Sequence, residues 1–89
     1  RVLVTPGMIE LGPKQAEENE AFARLAAEVV DVALVVGRTN RRALLRGLSN
    51  SRVEVLSMPT RDDAVAWVRS NSGARDAVLY ENDLPDHYP

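Results

Sequence analysis

Short apolar runs alternate with helix-like stretches along this chain, and that order constrains its fold more than any other feature. The apolar runs lie at residues 2–5, 32–36, 53–56 and 77–80. Five consecutive apolar residues at 32–36 are typical of a strand that is covered on both faces. The order strand, helix, strand, helix, strand, helix, strand predicts an α/β fold, a Rossmann-like three-layer sandwich with a mostly parallel sheet of about four strands.

The first helix is predicted over residues 14–30. Its apolar residues recur at helical spacing and are expected to form one buried stripe, made of Phe22, Leu25, Ala26 and Val29. Acidic residues at positions 17, 18 and 20 lie near its start, where the helix dipole favours negative charge.

Two shorter helices carry capping residues at their predicted starts. Thr39 or Asn40 can cap the second helix. The apolar side of that helix consists of Leu44, Leu45 and Leu48. Thr60 and Asp63 have the spacing of a capping box, with aspartate in place of the usual glutamate, and they start the third helix. The run at 53–56 shows alternation, which favours a strand near a sheet edge.

Size, charge and cysteine content exclude several classes of function. With 89 residues the chain is one domain with a modest core. A formal net charge of −2 gives no electrostatic reason to expect nucleic acid or an anionic membrane as a partner. No apolar run approaches the roughly 20 residues that cross a bilayer, and no signal peptide is recognisable, so a cytoplasmic location is expected. The absence of cysteine excludes disulfides, thiolate catalysis and cysteine zinc sites.

Nucleotide-binding motifs are missing from the sequence. It contains neither G-x-x-x-x-G-K-[ST] nor a G-x-G-x-x-G after the first strand. If the domain works on ATP, another domain must therefore hold the triphosphate. The chain begins within a strand and without an initiator methionine, which suggests a domain cut from a longer chain; a processed or tag-cleaved small protein is the alternative.

The loops that follow parallel strands converge at one edge of the sheet, and open α/β sheets bind ligands there. In the first loop, residues 5–12, Glu10 is the candidate binding carboxylate. Its apolar neighbours are Met8, Ile9 and Leu11. The alternative is a solvated loop acid or a charge at a helix start. Gly7 and Gly12 are expected to shape the backbone, and Gly7 is also a candidate for close approach of a ligand.

The second and fourth loops supply further candidates. Arg38 and Asn40 lie at a predicted helix start and can hold a phosphate or carboxylate, although a capped helix with a surface arginine would look the same. Polar residues crowd the end of the chain, at Glu81, Asn82, Asp83, Asp86 and His87. As a metal site this cluster lacks a recognised ligand spacing, and a solvated acidic tail is the alternative. A metal-dependent hydrolase is disfavoured because the chain has one histidine.

The first loop also carries a family resemblance. The residues V-T-P-G-M-I-E-L-G at 4–12, followed by a helix that contains E-E-N, resemble the start of the C-terminal domain of the Mur ligases. The similarity is closest to the branch that adds D-alanyl-D-alanine. Two departures stand out, because the family usually has aspartate at the position of Gly7 and a lysine-glycine-serine type motif after the last strand, where this chain has Y-E-N-D at 80–83.

The resemblance implies the substrate-closing domain of an ATP-dependent ligase. Such enzymes form an amide bond between an acyl phosphate and the amine of an amino acid or dipeptide, as in peptidoglycan precursor synthesis. ATP and magnesium would be held mainly by a P-loop domain upstream in the same polypeptide. The matching positions are Met8, Glu10, Leu11 and Gly12. Glu81, Asn82 and Asp83 join the predicted substrate site by location alone. The alternative is a noncatalytic α/β module that binds a small anion or a protein partner at the same edge.

Overall fold

A computed structural model describes residues 1–9, 11–71 and 77–81 of the chain. Its strands are β1 (Val2–Thr5), β2 (Val32–Val36), β3 (Glu54–Met58) and β4 (Val78–Tyr80). Its α-helices are α1 (Gln15–Ala26), α2 (Arg41–Leu48) and α3 (Arg61–Asn71), and a 3-10 turn (Gly12–Lys14) precedes α1. The alternation of strands and helices expected from the sequence is confirmed.

The four strands form one sheet in the order β3-β2-β1-β4, and every neighbouring pair is parallel. Val4 of β1 lies opposite Leu34 of β2 on one side and Tyr80 of β4 on the other. The strand β3 is at an edge, as its alternating sequence predicted. The strand order itself had not been predictable, and it places β1 between β2 and β4.

Helices cover both faces of the sheet, which confirms the three-layer sandwich. One apolar cluster joins α1 and α2 to the sheet and contains Ala23, Ala33, Val35, Leu44 and Leu48. The other lies beneath α3 and contains Val2, Val4, Leu34 and Ala64, with Trp67 packed against it. In the described part of the chain, no helix has the length and apolar character that a membrane span requires.

The first helix differs from its prediction in length and orientation. It ends at Ala26, and the following residues form a turn in which Val29 N–H donates to Ala26 C=O (i to i+3) and Val30 N–H donates to the same oxygen (i to i+4). The predicted apolar stripe is wrong at two positions, because Leu25 is 67% exposed and Val29 is 57% exposed. The helix instead buries Asn19 and Ala23.

Close packing of α1 on α2 explains this orientation. A Cβ atom added to Gly47 of α2 would lie 2.3 Å from the carbonyl oxygen of Glu20 and 2.6 Å from Cβ of Ala23. Only small residues fit where two helix backbones approach so closely. Bulky side chains such as Leu25 are therefore excluded from the interface, and the helix presents Ala23 there instead.

Candidate functional site

The carboxyl ends of β1 and β4 form the topological switch point of the sheet. The chain runs from β1 to β2 to β3 in one direction across the sheet, and then crosses to β4 on the other side of β1. Open α/β sheets bind their ligands in the crevice outside such a reversal. The loop after β1, at residues 6–9, and Glu81 after β4 both lie at this position.

Thr5 joins the two loops at the switch point. Its hydroxyl group donates a hydrogen bond to the Glu81 carboxylate over 2.6 Å and accepts one from the Gly7 N–H over 2.9 Å. The Glu81 N–H in turn donates to the carbonyl oxygen of Val4. Thr5 is 1% exposed, so its hydroxyl has little access to water. The hydrogen bond from Thr5 therefore fixes the orientation of the carboxylate of Glu81, which is a predicted substrate-binding residue.

Asn19 of α1 fixes the next residue of the first loop. Its Oδ1 atom accepts a hydrogen bond from Met8 N–H over 2.7 Å, and its Nδ2 group donates to the carbonyl oxygens of Met8 and Gln15 over 2.9 and 2.8 Å. The side chain has no exposed surface. Both backbone polar groups of Met8 are thus paired with a single buried amide.

Asn40 holds the same loop from the side of α2. Its Nδ2 group donates to the carbonyl oxygens of Pro6 and Met8 over 2.9 and 3.0 Å, and its Oδ1 atom accepts from Gln15 Nε2 over 2.8 Å. The predicted helix cap is therefore wrong in one respect. Asn40 occupies the cap position of α2, but its side chain makes no capping hydrogen bond. The carboxamide is used by the loop after β1 instead.

Gly7 is required where the two asparagines meet. Its φ is +81°, a conformation that side chains disfavour, and an added Cβ would lie 2.6 Å from Oδ1 of Asn19 and 2.8 Å from Asn40. The aspartate found at this position in the Mur ligases would not fit here without movement of both side chains. The packing of the loop accounts for the glycine without a ligand.

The predicted site residues lie in different environments. Gly7 and Asn40 are buried, Met8 and Glu81 are half-buried, and the exposed members are Leu11, Gly12 and Arg38. Glu10, Asn82 and Asp83 lie outside the described residues, as do Asp86 and His87. A ligand-binding role for each predicted residue stays a prediction. Among residues 1–9, 11–71 and 77–81, no group of three or more His, Asp or Glu side chains is placed to hold a metal ion.

A basic surface surrounds the start of α2. Arg38, Arg41 and Arg42 are exposed, and residues 37–53 contain no acidic residue. No ion pair within the described part of the chain involves these three arginines. Next to them is an open cleft of about 310 Å³, lined by Gln15, Thr39, Asn40, Arg42 and Arg46 among others. The surface beside the first loop is therefore suited to an anionic group.

Glu20 connects the two helices that carry the asparagines. Its carboxylate accepts hydrogen bonds from Arg46 of α2 over 3.0 Å and from Arg24 of α1 over 2.7 Å. The hydrogen bond from Arg46, followed by that from Arg24, lowers the pKa of Glu20 below its ordinary value of 4.5. This exposed network links α1 to α2 beside the site.

Thr5 and Asn19 were missed by sequence reasoning. A signal was present for each, because Thr5 ends an otherwise apolar strand and Asn19 lies one helical turn before Ala23 on the buried side of α1. A polar residue in a buried position needs internal hydrogen-bond partners. The sequence does not say which partners, since Thr5 and Glu81 are 76 residues apart.

Family models, curated proteins and solved structures were each compared with this chain, and none of the three comparisons gave a match. The fold and the geometry at the switch point are therefore the observations on which a function rests.

Proposed function

We propose that this chain is the C-terminal, substrate-closing domain of an ATP-dependent ligase of the Mur type. The reaction joins a carboxylate, activated as an acyl phosphate, to the amine of an amino acid or dipeptide. The observation that carries the proposal is the ordered loop after β1, at the switch point, with the Glu81 carboxylate attached to it through Thr5. The sequence of this loop is also the part that resembles the Mur ligases.

The charges at this edge suit a zwitterionic amine substrate. Glu81 follows β4 and Arg38 follows β2, on opposite sides of β1. Neighbouring strands are about 4.8 Å apart, so the two strands are separated by roughly 10 Å. An extended dipeptide spans about 7 Å, so the separation of its charged ends is of the same order as the separation of these two strands. The ammonium group would bind at Glu81 and the carboxylate at Arg38 beside the start of α2.

The division of work between domains follows from what this sequence lacks. It has no motif that cradles a triphosphate, so ATP and magnesium are assigned to an upstream P-loop domain of the same polypeptide. The contribution of this domain is to position the amine and to stabilise charge, since no catalytic base is identified among its described residues. We propose that the enzyme acts in the cytoplasm on precursors of the cell wall.

The test uses the full polypeptide, including its upstream domain. ATP, magnesium, a muramoyl-peptide carboxylate and a panel of amino acids and dipeptides, D-alanyl-D-alanine among them, are combined, and amine-dependent phosphate release is measured. We expect Glu81→Gln and Arg38→Ala each to raise the KM for the amine about tenfold or more, because each removes a charge-assisted hydrogen bond. Glu81→Gln retains an oxygen acceptor for Thr5, so the loop remains attached.

The matched control is Arg52→Ala, an exposed arginine that precedes β3 at the opposite edge of the sheet. It should leave the KM unchanged. Glu10→Ala tests the carboxylate predicted from the first loop, and unchanged turnover and affinity would remove that residue from the site. Phosphate release that no amine stimulates, combined with tight binding of an amino acid or anion by the 89-residue chain alone, would instead identify a noncatalytic binding module.

A further inference from the structure

We propose that Thr5, Asn19 and Asn40 are positioning residues that fix the first loop in its ligand-binding conformation before any ligand arrives. We call these three residues the loop clamp. They act through the backbone of residues 6–8 rather than by contact with the substrate. This inference rests on the proposed function for its consequence in catalysis, although the state of the loop can be measured independently.

The loop clamp pairs four polar groups of the loop backbone. The carbonyl oxygen of Pro6, the N–H of Gly7, and both the N–H and the carbonyl oxygen of Met8 each have a side-chain partner within 3.0 Å. Loops usually satisfy such groups with water. A loop whose polar groups are paired internally loses little further conformational freedom when it binds a ligand.

Burial keeps the loop clamp away from the substrate. Asn19 has no exposed surface, and Thr5 and Asn40 are 1% and 4% exposed. Ile9, which follows the clamped segment, is 40% exposed. A substrate at the switch point would therefore meet the loop and the Glu81 carboxylate, whereas Asn19 lies behind them and Asn40, which lines the cleft beside α2, is 4% exposed.

The use of Asn40 separates this role from ordinary helix stabilisation. Asparagine is one of the preferred residues at a helix start because its side chain can accept a hydrogen bond from the first turn. Here α2 begins without that bond, and the amide donates instead to carbonyl oxygens 32 and 34 residues earlier in the sequence. The helix α2 therefore has no side-chain cap, and the Asn40 Nδ2 group donates its hydrogen bonds to the loop.

The experiment replaces members of the loop clamp by side chains of nearly the same size and shape. Asn40→Asp removes both donors to the loop while supplying a side chain that can cap α2. Thr5→Val removes the hydroxyl group at nearly constant shape, and Thr5→Ser restores it. Amide hydrogen exchange in the 89-residue chain and amine kinetics in the full polypeptide are then compared, with Asn71→Asp on the exposed surface of α3 as the matched control.

In Asn40→Asp we expect the Met8 amide to exchange at least about tenfold faster, while the Leu44 amide of α2 keeps its rate. In the same variant the KM for the amine should rise about tenfold, with a smaller change in kcat. Thr5→Val should change the exchange rate and the KM in the same direction. Thr5→Ser should return both quantities towards their wild-type values. The control Asn71→Asp should change neither the exchange rate of the Met8 amide nor the KM for the amine.

Two results would overturn the inference. One is a Met8 amide that exchanges as fast in the wild type as in Asn40→Asp. The other is a loosened loop in an active ligase whose KM for the amine stays constant. If the wild-type polypeptide releases no amine-dependent phosphate, the proposed function fails, and the exchange rates alone then decide whether the loop clamp holds the loop.

Discussion

The starts of α2 and α3 use the same kind of polar side chain for different purposes. At α3, Thr60 and Asp63 form a reciprocal capping box: the Asp63 N–H donates to the threonine hydroxyl, and the Thr60 N–H donates to the aspartate, both over 3.2 Å. At α2, Asn40 leaves the helix uncapped and binds the loop after β1. The first arrangement is exposed and local, whereas the second is buried and long-range.

This difference separates a side chain that stabilises its own helix, at the start of α3, from one that supports the loop at the carboxyl edge of the sheet, at the start of α2. A capping box stabilises the helix that it starts, and it works wherever that helix lies. Asn40 contributes only in the assembled sheet, because its partners are Pro6 and Met8, which precede α1, and Gln15, which begins it. The side-chain cap of α2 is absent because Asn40 forms its hydrogen bonds with the loop at the switch point instead.

The largest effect is expected for Gly7→Ala. The new Cβ would contact both asparagines and would require the left-handed backbone conformation, so we expect the free energy of unfolding to fall by about 3 kcal/mol. Urea denaturation of the 89-residue chain measures the change. Gly12→Ala is the control, because its φ is +62° but nothing lies within 4 Å of the added atom, and a loss of only about 1 kcal/mol is expected. Equal losses would show that the asparagines yield easily.

The next effect is expected for Asn19→Ala. Removing this amide leaves the Met8 N–H without its partner and takes one hydrogen bond each from the carbonyl oxygens of Met8 and Gln15, so we expect a loss of about 2 kcal/mol in unfolding free energy. The control is Asn71→Ala, whose single exposed hydrogen bond to the Trp67 carbonyl should change stability by less than about 0.5 kcal/mol. A similar loss for both variants in thermal or urea unfolding would contradict the distinction between the buried and exposed amides.

A smaller effect is expected at the start of α3. Thr60→Ala removes the hydroxyl that accepts the Asp63 N–H, and the loss of such a cap costs about 1 kcal/mol. The same variant should leave exchange of the Met8 amide unchanged, because the capping box has no part in the loop clamp. Faster exchange at Met8 in Thr60→Ala would mean that the two helix starts are coupled, and the comparison between them would then fail.

The smallest effect concerns the exposed link between α1 and α2. Arg46, and then Arg24, lower the pKa of Glu20 below 4.5. A lowered carboxylate pKa contributes stability that is present above the unfolded value and is lost as the pH falls through the folded value. We therefore expect wild type and Glu20→Gln to differ slightly in urea denaturation at neutral pH and to converge in acid well below pH 4.5, with added salt reducing the difference. Curves that diverge in acid would reverse this assignment.

Local sequence rules predicted the α/β architecture, the capping box at Thr60 and the edge position of β3. They failed at positions where the packing of distant elements determines which partner a side chain contacts. The stripe containing Leu25 and Val29 has helical spacing, yet the close approach at Gly47 admits only small residues, so these two side chains face solvent. Asn40 has the identity and position of a cap, and competition from the loop after β1 redirected it.

The candidate site was predicted in part. The loop after β1 and the residue after β4 were expected at the carboxyl edge, but Thr5 and Asn19 were not expected to support them. Three of the predicted residues, Glu10, Asn82 and Asp83, lie outside the described part of the chain. Hydrogen-bond partners separated by up to 76 residues leave no pattern in a single sequence, so they could not be identified from it.

The order of strands and helices, the parallel sheet and its two helical faces were determined by the sequence, because apolar periodicity and turn residues act over short distances. The tertiary structure alone decided that β1 lies beside β4 and that three buried side chains hold the loop between them. Those contacts exist only after the strands have chosen their neighbours, since strand order depends on how whole helices pack rather than on the residues at the strand ends.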